Sequence, residues 1–297
     1  MKVSTALTDH QSGFIHTSIH STMNKTKIKL VSIGHLPIDF PEKKVLGWKS
    51  STFEVVGEID SFALRCDSDA PDWAFSDDLV RSQLQKTFDA DFMVAIVNVP
   101  IEDNWYSRRL GNNQIVFTFY DTREILEHYN IPIENVIYRM LYAYTLLYKR
   151  AGDRIPDFGE VPGFTHDETR GCLFDMNGIK TDLAASCSKA IICDQCQERL
   201  RQEKVSNHVI EATKREIKKI RKDLYYRAFG FIKKYPIWSL VLSSVFALLL
   251  GITGSVAASF IYDGIKEAHA QAETRNKSAK SSEIGRQAKP ETAPTAR

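Results

Sequence analysis

The chain has 297 residues, enough for one large domain or two small ones. Its 39 Lys and Arg residues nearly balance its 37 Asp and Glu residues. The net charge of +2 therefore does not indicate any class of binding partner. The positions of the charges, the apolar residues and the five cysteines are more informative.

The first part of the chain predicts a leader followed by a folded domain. Residues 1–24 are rich in Ser, Thr and His and lack a sustained apolar run, which excludes a signal peptide and predicts disorder. Residues 25–200 predict a mixed α/β domain. Its expected strands are residues 29–33, 53–56, 61–65, 92–97 and 114–120, with the third a hairpin-like neighbour of the second and the fourth central.

Three helices are expected between and after these strands. Residues 78–88 predict an amphipathic helix capped by Ser76 or Asp77, and residues 121–128 predict a short one. Apolar residues cover most of the circumference of residues 133–149, which predicts a buried central helix. The fold class expected is therefore α+β, with a mixed sheet packed on a central helix. The residues around Trp105, Arg108 and Arg109 are expected to form a polar loop.

Four of the five cysteines lie between residues 166 and 200. A Cys-x-x-Cys pair with a further cysteine and a histidine upstream is typical of a tetrahedral zinc site. The candidate ligands are Cys172, Cys193, Cys196 and His166, with Cys187 as the alternative fourth ligand. The expected cofactor is a structural Zn ion that closes the C-terminal loop of the domain.

Two other interpretations of the cysteines stay open. A Cys-x-x-Cys pair at a helix N-terminus is also found in redox proteins, although the βαβ pattern expected after such a pair is absent from the sequence. The thiols are alternatively inert and buried. A disulfide is disfavoured if this segment faces the cytoplasm.

The C-terminal third predicts a membrane anchor. Residues 201–236 are highly charged and predict a juxtamembrane helix, and residues 237–262 are uncharged and long enough, at about 39 Å, to cross a bilayer as one transmembrane helix. Nine Lys and Arg residues lie between Lys214 and Lys234, against four in the twenty residues after Tyr262. This asymmetry predicts a single-pass protein of the inner (cytoplasmic) membrane with its N-terminal domain in the cytoplasm. Residues 263–297 predict a disordered tail.

Two kinds of partner follow from this part of the chain. Small residues recur within the apolar segment at a spacing that lets two helices approach closely, which predicts a homo-oligomer formed through the transmembrane helix; they are Gly251, Gly254, Ser255, Ala258 and Ser259. The basic residues before the span favour anionic lipid headgroups over nucleic acid.

The cysteine segment resembles part of a known family. Cys172-Leu-Phe and Cys193-Asp-Gln-Cys196-Gln-Glu-Arg-Leu200 resemble the C-terminal part of the archaemetzincins, zinc-dependent peptidase-like proteins in which such cysteines hold a structural zinc after the catalytic helix. The order of strands and helices over residues 28–200 is compatible with that fold. The family's first structural cysteine has no counterpart, and His166 is the nearest substitute.

The family's catalytic His-Glu-x-x-His-x-x-Gly-x-x-His motif is absent. The helix that should carry it begins Asn135-Val-Ile-Tyr-Arg-Met-Leu-Tyr-Ala-Tyr-Thr, and no catalytic residue carries over. The resemblance therefore implies a pseudo-peptidase that kept the structural metal and lost the catalytic one.

Three functions are compatible with these features. The first is a zinc-stabilised interaction or sensing domain tethered to the membrane, a layout suited to bacterial signalling or defence. The second is a membrane-anchored metal-dependent hydrolase in which His166, Asp167 and Glu168 work with the metal. The third is an adaptor that recruits an unknown protein partner through the loop around Trp105.

Overall fold

The computed structural model describes residues 24–287, apart from residues 161, 162, 164, 167, 168 and 176–178. The chain divides into two compact units, Met1–Arg227 and Ala228–Arg297, which are described separately. Except for Asn24, the predicted disordered leader lies outside the described residues.

The first unit is built on a six-stranded mixed sheet, in agreement with the predicted α+β class. Its strands pair in the order β2-β1-β4-β6-β5, and β3 also pairs with β1. All pairs are parallel except β5 with β6. The strands are β1 (Thr26–Ile33), β2 (Phe53–Val55), β3 (Asp60–Phe62), β4 (Phe92–Val97), β5 (Ser107–Gly111) and β6 (Gln114–Thr118).

The sheet has a core on each face. All six residues of β4 are buried, as expected for a central strand covered on both sides. Because successive side chains of a strand point to opposite faces, Ile28, Leu30 and Val94 belong to one apolar cluster, whereas Val31 and Ala95 belong to the other.

The predicted hairpin of the second and third strands is wrong. Strands β2 and β3 both pair with β1, at residues 26–28 and 31–33, and both run parallel to it. Strands β2 and β3 therefore lie along the same edge of β1, parallel to it, and together form one interrupted edge strand. The bend between them contains Gly57, whose φ of +68° suits glycine.

The predicted polar loop around Arg108 and Arg109 is also corrected, because residues 107–111 form β5. The turn into β6 is Asn112–Asn113, and both residues have positive φ, as a type I′ hairpin turn requires. The Arg108 side chain is only 5% exposed and pairs with Asp77 at 2.8 Å. Strand β5 was missed because a charged residue, buried through an ion pair, stands where the alternating pattern of a strand would have an apolar residue.

Seven α-helices of the first unit are described in full, and an eighth begins in it. Ser76 caps α2 by accepting from the Leu79 N–H (3.1 Å), as expected. The helix is shorter than predicted, because Leu84 and Phe88 pack against the core from an irregular segment. The helices are α1 (Glu42–Leu46), α2 (Asp77–Ser82), α3 (Thr122–His128), α4 (Glu134–Arg150), α5 (Leu183–Ser188), α6 (Asp194–Gln202), α7 (Asn207–Glu216) and α8 (Leu224–Lys234).

Helix α4 is the central helix that the sequence predicts. Its residues 134–148 are all buried, including Glu134, Asn135 and Arg139. Ion pairing and hydrogen bonding account for these polar side chains. Glu134 pairs with Lys44 at 2.8 Å, and Asn135 Nδ2 donates to the carbonyl of Cys187 at 2.9 Å.

The single juxtamembrane helix predicted for residues 201–236 is replaced by separate helices. Helix α6 ends at Gln202, α7 spans Asn207–Glu216, and α8 begins only at Leu224. The apolar residues at heptad spacing, such as Ile210 and Ile217, are buried in the domain core. The first unit therefore extends to Arg227, beyond the predicted boundary at residue 200.

The second unit contains one long helix, α9 (Pro236–Gln287). Its segment Pro236–Glu267 has 32 residues, is long and apolar enough to cross a membrane, and is not buried. The tail predicted to be disordered from residue 263 is instead helical to Gln287, since Ala, Glu, Lys and Arg favour helix and no proline interrupts them. Residues 288–297 lie outside the described part.

Glu216 joins the end of α7 to the edge of the sheet and to α4. Its carboxylate accepts from Ser50 Oγ (2.6 Å), the Ser51 N–H (2.8 Å), Ser51 Oγ (2.6 Å) and the Tyr142 hydroxyl (2.7 Å). Burial alone raises the pKa of Glu216, but these donors outweigh it and hold the pKa below its usual value of 4.5.

We therefore expect Glu216→Gln to destabilise the full chain by roughly 1.5–3 kcal/mol, as for hydrogen bonds to a charged group. Because the folded-state pKa is depressed, the stabilisation is present above pH 4.5 and is lost as the pH falls through the lower folded-state value. Urea unfolding in non-ionic detergent, followed by tryptophan fluorescence across this range, measures both effects. Glu54→Gln, at an exposed position of β2, is the control and should change neither. An unchanged pH slope in Glu216→Gln would contradict the assignment.

Candidate metal centre

Three short segments form the site, and backbone hydrogen bonds hold them together. The N–H of His166 donates to the carbonyl of Phe174 (3.1 Å). The N–H of Leu173 donates to the carbonyl of Ile191 (2.8 Å), whose own N–H donates to Gly171 (3.0 Å). The segment of residues 171–175 thus lies between the histidine and the Cys-x-x-Cys pair.

This arrangement brings the four predicted ligands together. One ligand atom from each of His166, Cys172, Cys193 and Cys196 lies within 4.8 Å of all the others, close enough to bind one metal ion. A tetrahedral zinc with Zn–S bonds of about 2.3 Å needs sulfur atoms about 3.8 Å apart. The cluster therefore has the right size for one metal ion. Cys172 and Cys196 are buried, and the other two are half-buried.

The two cysteines of the Cys-x-x-Cys pair lie at the start of α6. Cys193 is the N-cap residue and Cys196 lies in the first turn. Both sulfur atoms therefore lie at the positive end of the helix dipole. The N–H of Cys193 also donates to the sulfur of Cys172 (3.5 Å).

The sulfur atoms compete for protons in the absence of a metal. The hydrogen bond from the Cys196 thiol outweighs burial and lowers the pKa of Cys172 to about 4. The same bond raises the pKa of Cys196, because deprotonation would place two negative sulfurs side by side. A divalent cation held by Cys172, Cys193 and Cys196 would remove this conflict, because its charge would stabilise all three sulfurs as thiolates.

The histidine directs a ring nitrogen that can bind a metal towards the sulfur atoms. His166 Nε2 lies 3.5 Å from Cys193 Sγ. Its Nδ1 is buried and has no partner among the described residues, and the same holds for Oδ1 of Asp175, which pairs with His166 in a β-bridge. A ligating histidine commonly directs its second ring nitrogen towards a carboxylate or a carbonyl. The donor set of three sulfurs and one ring nitrogen therefore fits a soft divalent metal.

Cys187 is not part of the cluster. It is fully buried beneath α4, and burial raises the pKa of its thiol to about 12. It therefore behaves as a small apolar side chain. Among the described residues all five cysteines are free, so no disulfide competes with the metal.

A buried arginine supports the site and was not singled out by the sequence. Arg139 of α4 is 1% exposed. Its guanidinium donates to Ser186 Oγ (2.7 Å), to the Tyr106 hydroxyl (3.1 Å) and to the carbonyl of Asp175 (3.0 Å). It therefore links the central helix to the segment that carries Cys172. The signal in the sequence was a single charged residue in the middle of the apolar and aromatic stretch of residues 136–144.

The other predicted site residues are placed differently. Asp167 and Glu168, the acids of the hydrolase interpretation, lie outside the described residues. Trp105 is half-buried against the second apolar cluster, so part of its ring is used for packing.

A cavity at the carboxyl ends of β4 and β6 was also not predicted. It has a volume of about 880 Å³ and is lined by seven carboxylates, including Asp103 and Asp121, and by Arg81 and Arg108. Arg108 lies within 4 Å of carboxylate oxygens of Asp77, Glu102 and Asp103. These ion pairs neutralise only part of the acidic lining.

Comparison of the chain with protein-family models, curated proteins and solved structures found no match. The resemblance to the archaemetzincins therefore stays a prediction, and the site is interpreted from its own geometry.

We expect Cys172→Ser, Cys193→Ser and Cys196→Ser each to reduce the metal bound by the purified full chain from one equivalent to well below one. A serine hydroxyl is a poor replacement for a thiolate ligand. Elemental analysis after dialysis measures the content. The matched control is Cys187→Ser, which alters a buried cysteine outside the cluster and should retain a full equivalent. Equal loss in the control would show that misfolding, not ligation, explains the result.

Proposed function

We propose that the chain is a membrane-tethered interaction or sensing domain, stabilised by a structural zinc ion and without peptidase activity. The observation that carries the proposal is the closed set of four ligand residues in the first unit of a chain that also contains one long apolar helix. The metal, the tether and the absence of catalysis are supported by separate features.

The donor atoms favour zinc. Three sulfurs and one imidazole nitrogen are the Cys₃His ligand set of structural zinc sites. Harder cations such as Mg²⁺ and Ca²⁺ take oxygen ligands instead. Zinc would supply charge neutralisation of the three thiolates.

The number of ligands favours a structural role. A catalytic zinc has about three protein ligands and keeps one position open for water or substrate. Here four protein ligands are available, enough to fill all four positions of a tetrahedron. The metal would tie His166 and the loop of Cys172 to the start of α6, which closes long loops in the unfolded chain and so stabilises the fold.

The central helix supports a fold without peptidase activity. Helix α4 carries no His-Glu-x-x-His motif, and its residues 134–148 are buried rather than turned towards a cleft. In evolutionary terms, the chain would be a pseudo-peptidase that descends from an archaemetzincin-like domain and retains its structural zinc.

The charges around α9 support its orientation. Lys233 and Lys234 lie in the last turn of α8, immediately before the apolar segment. With the basic residues upstream, they favour a cytoplasmic first unit at the inner membrane. Small residues in the span, such as Gly251 and Ser255, favour self-association into a homo-oligomer. An interaction domain that changes the association of its membrane helices is a layout for bacterial signalling or defence.

The coordination sphere separates this proposal from the hydrolase alternative. Zinc X-ray absorption on the purified full chain should give three sulfur ligands and one nitrogen ligand, with no oxygen at a bonding distance. A bound water with only three protein ligands would instead favour a catalytic metal near His166. Cys187→Ser is again the control and should give the spectrum of the unaltered protein.

The tether and its orientation are tested in cells. A chain ending at Lys234 should move from the membrane fraction to the soluble fraction, because it lacks the apolar segment. Alkaline phosphatase, which is active only outside the cytoplasm, should be active when fused after Gln287 and inactive when fused before residue 25. The reverse pattern would contradict the proposed side of the membrane.

A further inference from the structure

A groove lies beside the metal centre, within the first unit. It has a volume of about 830 Å³, in the upper part of the range for small-molecule sites. The segment of residues 188–195 forms one wall, and residues 214–221 form the other. The floor is apolar: Ala190, Ile192, Ile217 and Ile220 are buried there, and the Ile191 side chain is 38% exposed.

Cations surround this apolar floor. The lining contains Lys189, Lys214, Lys218 and Arg221, against the single carboxylate of Asp194. Lys214 pairs with Glu211 at 2.9 Å, outside the groove lining. In the described part of the chain, the side chains of Lys189, Lys218 and Arg221 form no ion pair.

The start of α6 adds to the positive potential. Cys193, Asp194 and Gln195 line the groove and are the N-cap and first residues of this nine-residue helix. The positive end of the helix dipole is therefore at the groove wall. The cations do not belong to this helix and give the groove a preference for an anion. The apolar floor adds a preference for a ligand with an apolar part.

We propose that this groove binds an anionic phospholipid of the membrane that anchors the chain, with the phosphodiester on the basic rim and the first part of an acyl chain on the isoleucine floor. The inference rests on the proposed membrane tether. A phosphate is attracted by Lys and Arg, and the adjoining methylenes remove the apolar floor from water. Neither a nucleic acid nor a free sugar phosphate would use both parts of the lining.

The length of the chain makes this ligand available. Arg221, on the groove, and Pro236, the first residue of the apolar helix, are 15 positions apart in the sequence. This short connection tethers the groove to the membrane that the span would cross. Lipid headgroups near the span are therefore present at high effective concentration, so even weak intrinsic affinity would suffice.

Native mass spectrometry of the full chain in non-ionic detergent, titrated with phosphatidylglycerol or phosphatidylcholine of the same acyl chains, tests the proposal. The protein should retain phosphatidylglycerol at least several-fold better than phosphatidylcholine. Lys218→Gln should weaken phosphatidylglycerol binding about five-fold, which corresponds to about 1 kcal/mol for one Lys near a lipid surface. Ile191→Ser should weaken binding of the lipid by removing part of the apolar floor.

The matched control is Lys219→Gln, the neighbouring exposed lysine that does not line the groove. It should bind phosphatidylglycerol like the unaltered protein. Equal loss in Lys218→Gln and Lys219→Gln would overturn the proposal in favour of unspecific attraction to a basic surface. Equal binding of the two lipids, or unchanged binding in Lys218→Gln, would also overturn it.

Competition with a free headgroup shows whether the groove binds a lipid or a soluble phosphodiester. Glycerophosphoglycerol should compete only weakly, because it lacks the acyl chain, and competition as strong as that of the lipid would overturn the proposal. Metal content and membrane fractionation are measured on the same variants. If both are normal while lipid selectivity is absent, the further inference fails and the proposed tethered zinc domain stands.

Discussion

The buried guanidinium of Arg139 is the constraint on which the first unit depends. A charge in an apolar core is tolerated only if each of its donors finds an acceptor. Its acceptors come from three places: Tyr106 next to the sheet, Ser186 on α5, and the backbone of Asp175 beside the metal ligands. Because the three contacts must form together, they fix the segment that carries Cys172 relative to α4 without a bound metal.

The metal centre and Glu216 continue this chain of connections. The segment held by Arg139 carries Cys172, whose sulfur meets the cysteines at the start of α6. Helix α7 follows, and Glu216 at its end accepts hydrogen bonds from Tyr142 of α4 and from the residues before β2. The polypeptide after the sheet is thus attached to α4 at both ends by polar contacts, and a metal at the four candidate ligands would complete the connection between them.

The sequence predicted the features that depend on apolar periodicity or on ligand spacing. Strand β4, helix α4 and the four clustered ligand residues belong to this class. It failed where polar residues are buried by pairing: β5 is held by the ion pair of Arg108 with Asp77, a contact between residues 31 positions apart. It also misplaced residues 201–236, because a heptad pattern does not reveal whether its apolar face meets a partner helix or the domain's own core.

The candidate metal centre and the proposed lipid groove share a residue. Cys193 is at once a candidate ligand, the N-cap of α6 and part of the groove wall. If a metal binds this cluster, it would join the start of α6 to the loop of Cys172 and so stabilise one wall of the groove. Coupling between two bound ligands is reciprocal, so a bound lipid would in turn strengthen metal retention by the same factor. Zinc that stays bound would then act as a scaffold, and the lipid would act as the variable signal.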